Sequence, residues 1–596
     1  MGFTLKKTKF FKWVKKNKII SIIIAAIILI TSGVTILNSI PRKFQLEYTI
    51  GPKDIDNKIL NVNVRITPVG MFKPKQFVLV KGNMNVDNES CLDNEKNKVN
   101  FGGENGIVVI DELKSGSKYI DYNYDVEIAR LGKHGYNSQV YREMLSYEGE
   151  AVLAMPLAAI DGNNEKADIV DNIKIQNMVP DVWDSIIPFP SEGSMAVTEV
   201  KNPSWIDLHE IRKSSYTFGD FKEDKHLTDE GGYTVYVDPK AEKFYTEEAK
   251  EGLESLFDYY SKIFKHKLNN YSVVILRTEG EKNGYIIGGS SSINMASTFN
   301  PENSRDWQLM GHRLFHAFFE STVSLEKFNK APILNFYEGL ATYYENMSMM
   351  SLSQSLRDRL NIYPDNEFGN LFERYTYMKL KSPEYLNFAL SDEASISASP
   401  GRLEFLHYTQ APLVVKYMEE TIAKNTSNED NILNYILENK DEESLSMDSI
   451  AKVLMGEDSK DFINKYVKGY EIVPLWDLAK TSGGDNRDVI NSLNEYEYLL
   501  YTWFSQENEL YKNDNLSTDN LVEIAEEADR EGARFASEDL EKQIKDMSPT
   551  MYNLLKEYAL RVKVCSLELG SPYLREQLLS NRENTEKWNE FLRTIK

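Results

Sequence analysis

Between Ile19 and Ile40 the chain runs IISIIIAAIILITSGVTILNSI without one charged residue. A helix of about 20 apolar residues matches the ~30 Å hydrocarbon layer of a bilayer, so this run reads as a membrane span. Lys6, Lys7, Lys9, Lys12, Lys15, Lys16 and Lys18 precede it, and only Arg42 and Lys43 follow closely. That asymmetry keeps the N-terminus in the cytoplasm and sends the bulk outside. The run exceeds a signal-peptide core and no small-residue cleavage box follows, which favours an uncleaved anchor. No second apolar run of that length exists. The expectation is a single-pass cell-membrane protein: a basic cytoplasmic segment over 1–18, an anchor over 19–40 and an extracellular remainder.

The remainder is large enough for several domains. The whole chain of 596 residues carries a net charge of −22, and its first 43 residues contain no acid. Everything beyond them is therefore more acidic still. Such a surface repels nucleic acid and tolerates cations. Cys91 and Cys565 are the only cysteines, too few for a disulfide framework or a cysteine-based zinc module.

Punctuated runs such as FQLEYTI, ILNVNVRITPV and YIDYNYDVEIARL predict a β-sandwich over 44–200. From 214 the period changes. YTFGDF, YTVYVDP and YSVVILRT read as strands, TEEAKEGLESLFDYYSKIF as a helix, and GYIIGGSSSINMAS as a glycine-kinked strand. Two further helices then carry GHRLFHAFFE and LNFYEGLATYYENM, which gives an α+β unit over 214–476. Beyond it, 477–596 reads as helix only and predicts a bundle with a surface for a protein partner. The fold class is thus multidomain α+β.

His312 and His316 stand four apart on a helix and share a face, so both can reach one ion. A catalytic zinc needs a third protein ligand, and Glu338 on the next helix supplies a carboxylate. HRLFH followed by YEGLATYYEN resembles the gluzincin (thermolysin-like) metallopeptidases, particularly the zinc aminopeptidase and glycyl-aminopeptidase families. The resemblance implies zinc on His312, His316 and Glu338. HYTQAPLVVKYMEE resembles the family segment whose tyrosine stabilises the tetrahedral intermediate, which implies that role for Tyr408. SKDFINKYVKGYEIVPL resembles the tail of the same domain. GGSSSINMAS resembles the substrate-binding edge strand, placing Gly288, Gly289 and Ser291 along a groove, with Ser291 where the family carries the glutamate that holds a free amine.

Arg313 is the main departure. It occupies the general-base position, and a guanidinium cannot accept the proton of a metal-bound water. Its charge also disfavours a nearby dication. Zinc remains as a structural ion, or Arg313 takes the metal's place and pairs with Glu338. Glu320 and Glu345 are alternative carboxylates, but Glu320 lies roughly 12 Å along the helix from His312, which suits a supporting role. The expected function is a membrane-anchored pseudopeptidase that binds a peptide or protein ligand in its groove. The alternatives are an active zinc-dependent aminopeptidase, or a structural ectodomain.

Overall fold

The computed structural model describes most of residues 43–478, with 542, 545 and 546. Outside the described residues lie 1–42, 70–75, 83–85, 104–105, 112–117, 129–137, 158, 160–166, 168, 193, 229, 278–286, 289–290, 329–330, 382–387, 392–404, 426–430, 443–444, 476–477, and 479–596 apart from the three just named. The expected anchor and the C-terminal bundle therefore fall outside the described residues.

The strands of the first unit form where apolar residues alternate. In β1 (Lys43–Asp54) Phe44, Leu46, Tyr48 and Ile50 point inward, and in β2 (Ile59–Val69) Leu60, Val62, Val64 and Ile66 do so. Period-two burial of this kind gives a sheet one dry face. With β3 (Val86–Asp93), β4 (Ile120–Glu127), β5 (Met144–Glu148), β6 (Val170–Asn177), β7 (Ser194–Lys201) and β8 (Ser215–Gly219), it builds most of the N-terminal unit. One sheet has seven strands, in the order Pro190–Ser191, β7, β6, β1, β2, β4, β3. A four-stranded sheet containing Gln76–Val80 and Ile107–Asp111 covers it, and Phe77, Leu79, Val108 and Ile110 complete a common core. This agrees with layered β structure. Alternation alone did not disclose that β1 and β6 pair in parallel.

The expected border at 214 needs correction. The YTFGDF strand is β8, and it pairs with β5 rather than with the second unit. The helix before it, α1 (Trp205–Lys213), buries Trp205, Leu208 and Ile211 in the first core, as do Tyr216 and Phe218 of β8. The first unit thus extends to Gly219.

The second unit is a five-stranded sheet, in the order β9 (Lys222–Thr228), β10 (Gly231–Val237), β11 (Tyr271–Leu276), β13 (Asn294–Thr298), β12 (Ile287–Gly288). Strands β10, β11 and β13 are parallel, and β12 is an antiparallel edge. Helix α2 (Glu247–Phe264) starts at Thr246, whose hydroxyl accepts from the Ala249 amide. That cap satisfies one orphan donor of the first turn. Helices α3 (Ser304–Glu320) and α4 (Ile333–Ser348) pack with α2 through Phe315, Phe318, Tyr260 and Phe264. After α5 (Pro364–Lys381), a single π-turn over Leu406–Gln410 leads into α6 (Ala411–Asn425). No helix among the described residues is long and apolar enough to cross a membrane.

A candidate metal centre

Helix α3 presents both histidines inward because its apolar positions (Trp307, Met310, Leu314, Phe318) fix its rotation against the core. The His312 and His316 Nε2 atoms stand 3.0 Å apart. Glu338, on α4, places Oε2 3.4 Å from His316 Nε2 and 3.7 Å from His312 Nε2. One ligand atom from each of the three residues falls within a 4.8 Å set.

Each outer nitrogen has a polar partner. His312 Nδ1 lies 3.0 Å from Glu345 Oε2, and a carboxylate there can only accept. Glu345 is itself held by Arg305 Nη1 at 3.1 Å. On the other ring, His316 Nδ1 lies 2.6 Å from the Tyr337 hydroxyl, which donates to Glu320 Oε1 at 3.0 Å. His312 Nδ1 therefore donates to Glu345, while His316 Nδ1 meets a hydroxyl that can donate or accept; in the tautomer where both Nδ1 atoms donate, both rings turn a bare Nε2 lone pair inward. Two such lone pairs at 3.0 Å repel unless a cation lies between them. Glu338 Oε2 is buried and has no hydrogen-bond partner among the described residues. Two oriented imidazoles and an orphaned carboxylate oxygen fit a divalent metal, with carboxylate and tyrosine setting the tautomers from behind.

Electrostatics keep the Glu338 carboxylate ionised. Burial pushes the Glu338 carboxyl up, but His316, His407 and His312 outweigh it and hold the group well below the usual carboxylate range. Burial depresses His316, so the ring tends to stay neutral and able to ligate.

Arg313 sits one residue beyond His312, on an adjoining face of α3. Burial lowers its pKa, and the strongest opposing attraction comes from Glu148 at the end of β5, with Glu338 the weakest of the four named contributors. Arg313 and Glu338 attract each other across the site, less strongly than Arg313 and Glu148 do. The charge of Arg313 is answered mainly from the N-terminal unit.

Tyr408 lies on the π-turn with its ring 5.7 Å from that of His312. Its neighbour His407, given no role on sequence, lies with Nε2 2.7 Å from Asn335 Oδ1, and Asn335 donates onward to the Leu390 carbonyl. Asn335 precedes Glu338 by one helical turn, so this bond fixes the tyrosine segment to the ligand helix. The only signal in the sequence was adjacency: His407 beside Tyr408, Asn335 three before Glu338.

Gly288 pairs with Ala296 on the sheet edge, and Gly289 is outside the described residues. Ser291 is fully buried, its hydroxyl donating to the Asn294 carbonyl at 3.0 Å and accepting from Ser214 Oγ and the Ile293 and Asn294 amides. Those four bonds occupy it in a turn between the units. Beside it, Glu210 accepts from the amide and hydroxyl of Ser292.

No protein-family model and no curated protein sequence matches the chain. Solved structures do. An aminopeptidase N family protein from Idiomarina loihiensis aligns over 73% of this chain and 78% of its own, with a TM-score of 0.52 and 12% identity. The fold is that of the aminopeptidase N family. An M1 zinc metallopeptidase from Deinococcus radiodurans, as a mutant bound to a Tyr-Ser-Ala substrate, aligns over 73% of this chain and 95% of its own at 12% identity, with a TM-score of 0.43. Within this fold, the His312–His316–Glu338 set lies where α3 and α4 pack together.

Proposed function

We propose that this chain is a membrane-anchored, extracellular protein of metallopeptidase type that holds zinc and captures a peptide without efficient hydrolysis. One observation carries the metal: two bare Nε2 atoms and an unpartnered Glu338 oxygen converge while both Nδ1 atoms are already engaged. His312, His316 and Glu338 would hold the ion, which when bound supplies Lewis-acid polarisation of a carbonyl. Tyr408, whose ring lies 5.7 Å from that of His312, would donate to that carbonyl oxygen, as the family resemblance implies. The loss of hydrolysis follows from Arg313: a permanent cation replaces the proton acceptor, and a positioned base is typically worth 10²–10⁴ in rate. Peptide is the ligand class that the family resemblance implies.

The test is metal content together with peptide turnover. The purified chain should contain about one zinc per molecule, removable by chelator, and should bind library peptides without cleaving them. Chelator-sensitive cleavage by the wild type would favour the active aminopeptidase reading. A chain that takes up no zinc, from a chelated state or during folding, sinks the metal assignment.

A further inference from the structure

We infer that the strand-end rim at Lys43 rests on the anionic headgroups of the bilayer that holds the anchor; this deepens the anchored reading above and depends on it. Only Pro41 and Arg42 separate Ile40, the last residue of the apolar run, from Lys43, the first residue of β1. Three backbone steps span at most about 11 Å. Whatever stands level with Lys43 is therefore held close to the headgroups.

Strand register says what that is. Lys43 pairs with Val69, the last residue of β2. The Phe44 amide donates to the Ile169 carbonyl at 2.9 Å, and Ile169 is an exposed apolar residue. At the other end of β7, Lys201 pairs with Asn172, which is level with Gln45. Strand β4 begins at Ile120, level with Ile66 and hence Leu46, so Lys118 lies two residues nearer the rim. The turn after β3 carries Lys96 and Lys98, and its Asn94 accepts from the Lys118 amide.

Lys96, Lys98, Lys118 and Lys201 are all exposed. Among the described residues the acids on this rim are Asp93, Glu95 and Asp171; Asp93 accepts from the Glu95 and Asn97 amides and Asp171 from Gln45 Nε2. At the opposite rim the balance reverses: Asp54, Asp56, Asp87 and Glu127 stand against Lys53 and Lys58, and Lys53 is paired to Asp125. A chain with a net charge of −22 thus turns a basic end, with an exposed isoleucine, toward the point where its apolar run begins. Anionic lipid attracts each lysine near its surface, while the acidic remainder is repelled outward.

The experiment uses the full-length chain in vesicles containing phosphatidylglycerol. A photo-crosslinking amino acid is placed in turn at Lys118, Ile169, Lys201 and, on the far rim, Asp56, and lipid adducts are counted by mass spectrometry. Adducts should form from the first three positions and not from Asp56. Combining Lys118→Glu with Lys201→Glu should lower the yield at position 169 by about fivefold or more. Equal yields from both rims, or an unchanged yield in the reversed variant, overturn the seating while leaving the anchor intact. Release of the chain by alkaline carbonate overturns the anchor itself, and the inference with it.

Discussion

Arg313 governs the reading at the scale of single residues, and its chemistry was legible from the motif alone: arginine does not lose its proton. Its counter-charge was not legible, because Glu148 lies 165 positions earlier in the numbering, on a strand of the other unit. That pairing has a consequence for restoring the base. Arg313→Glu alone sets a second carboxylate against Glu148, so it should lower the melting temperature. Adding Glu148→Gln should recover part of the loss, with a coupling of about 1–3 kcal/mol. Additive effects in a thermal double-mutant cycle would show that the two side chains do not interact. A second residue gives a pH signature. Asp306 is buried, accepts from the Asn300 amide at 2.8 Å through Oδ2, and leaves Oδ1 without a partner among the described residues. Burial raises its pKa from 3.8 to about 6. A folded value above the unfolded one means the native state binds the proton more tightly. The contribution is complete below the unfolded pKa and is lost as pH rises through about 6. Asparagine keeps the acceptor and has no proton to lose. From pH 4 to 7, the stability of Asp306→Asn relative to wild type should therefore rise by about 2–3 kcal/mol in denaturant unfolding. A difference that stays flat with pH would show that this carboxyl does not titrate on unfolding.

At the scale of elements, the ligand helices were the most readable part of the chain. Two histidines on one turn and a glutamate on the following helix need only the 3.6-residue period and chain order. Glu345, expected in a supporting role, holds His312 Nδ1, because seven residues along α4 return it near the face of Glu338. Ser291 was harder to place. Glycine and serine in a strand-like run mark a bend, but not whether the bend faces a groove or the interface with Ser214. Likewise, alternation in β1 and β6 revealed their buried faces and not their parallel partnership. Gly339 ties the ligand helix to the tyrosine segment more closely than sequence suggests. A Cβ there would meet the Ala411 Cβ at 2.6 Å and its carbonyl carbon at 2.7 Å. Since that contact is largely backbone, α4 and α6 must separate to admit it. Gly339→Ala should cost about 1–3 kcal/mol in stability and weaken zinc binding by displacing the adjacent Glu338. Thermal unfolding and competitive zinc titration measure the two effects, and an unchanged affinity would show that the close approach does not position the ligand.

The whole molecule depends on how its two units are joined, and polar side chains do much of that joining. Trp205 Nε1 donates to Glu326 Oε1 at 2.8 Å, and the Ser215 amide donates to Asn294 Oδ1 at 2.8 Å. Arg277, just beyond β11, is the most committed. Its side chain is 8% exposed and donates from Nη2 to Asp238 Oδ1 at 2.9 Å and from Nη1 to Glu143 Oε1 at 2.6 Å. Its guanidinium stacks 4.7 Å from the centre of the Tyr141 ring, while its carbonyl accepts from Gln139 Nε2 at 2.8 Å. Tyr141, Gln139 and Glu143 belong to the N-terminal unit, and Asp238 to the second. Lys240 and Arg277 together hold the Glu143 carboxyl down at about 2. This junction was not legible beforehand, since an arginine after an apolar strand reads as a solvated end. Removing one partner of a buried pair is costlier than the pair is worth, because the remaining charge is stranded. Arg277→Met leaves Asp238 buried without its main counter-charge and removes two of the contacts that join the units. It should therefore destabilise the chain by about 3–5 kcal/mol and split one cooperative unfolding transition into two. Combining it with Asp238→Leu removes the stranded charge, so most of the stability of the second unit should return, while the units stay uncoupled for want of Glu143 and Tyr141. Calorimetry distinguishes these outcomes: a single transition retained in Arg277→Met would mean that the apolar interface, and not this arginine, makes the two units unfold together.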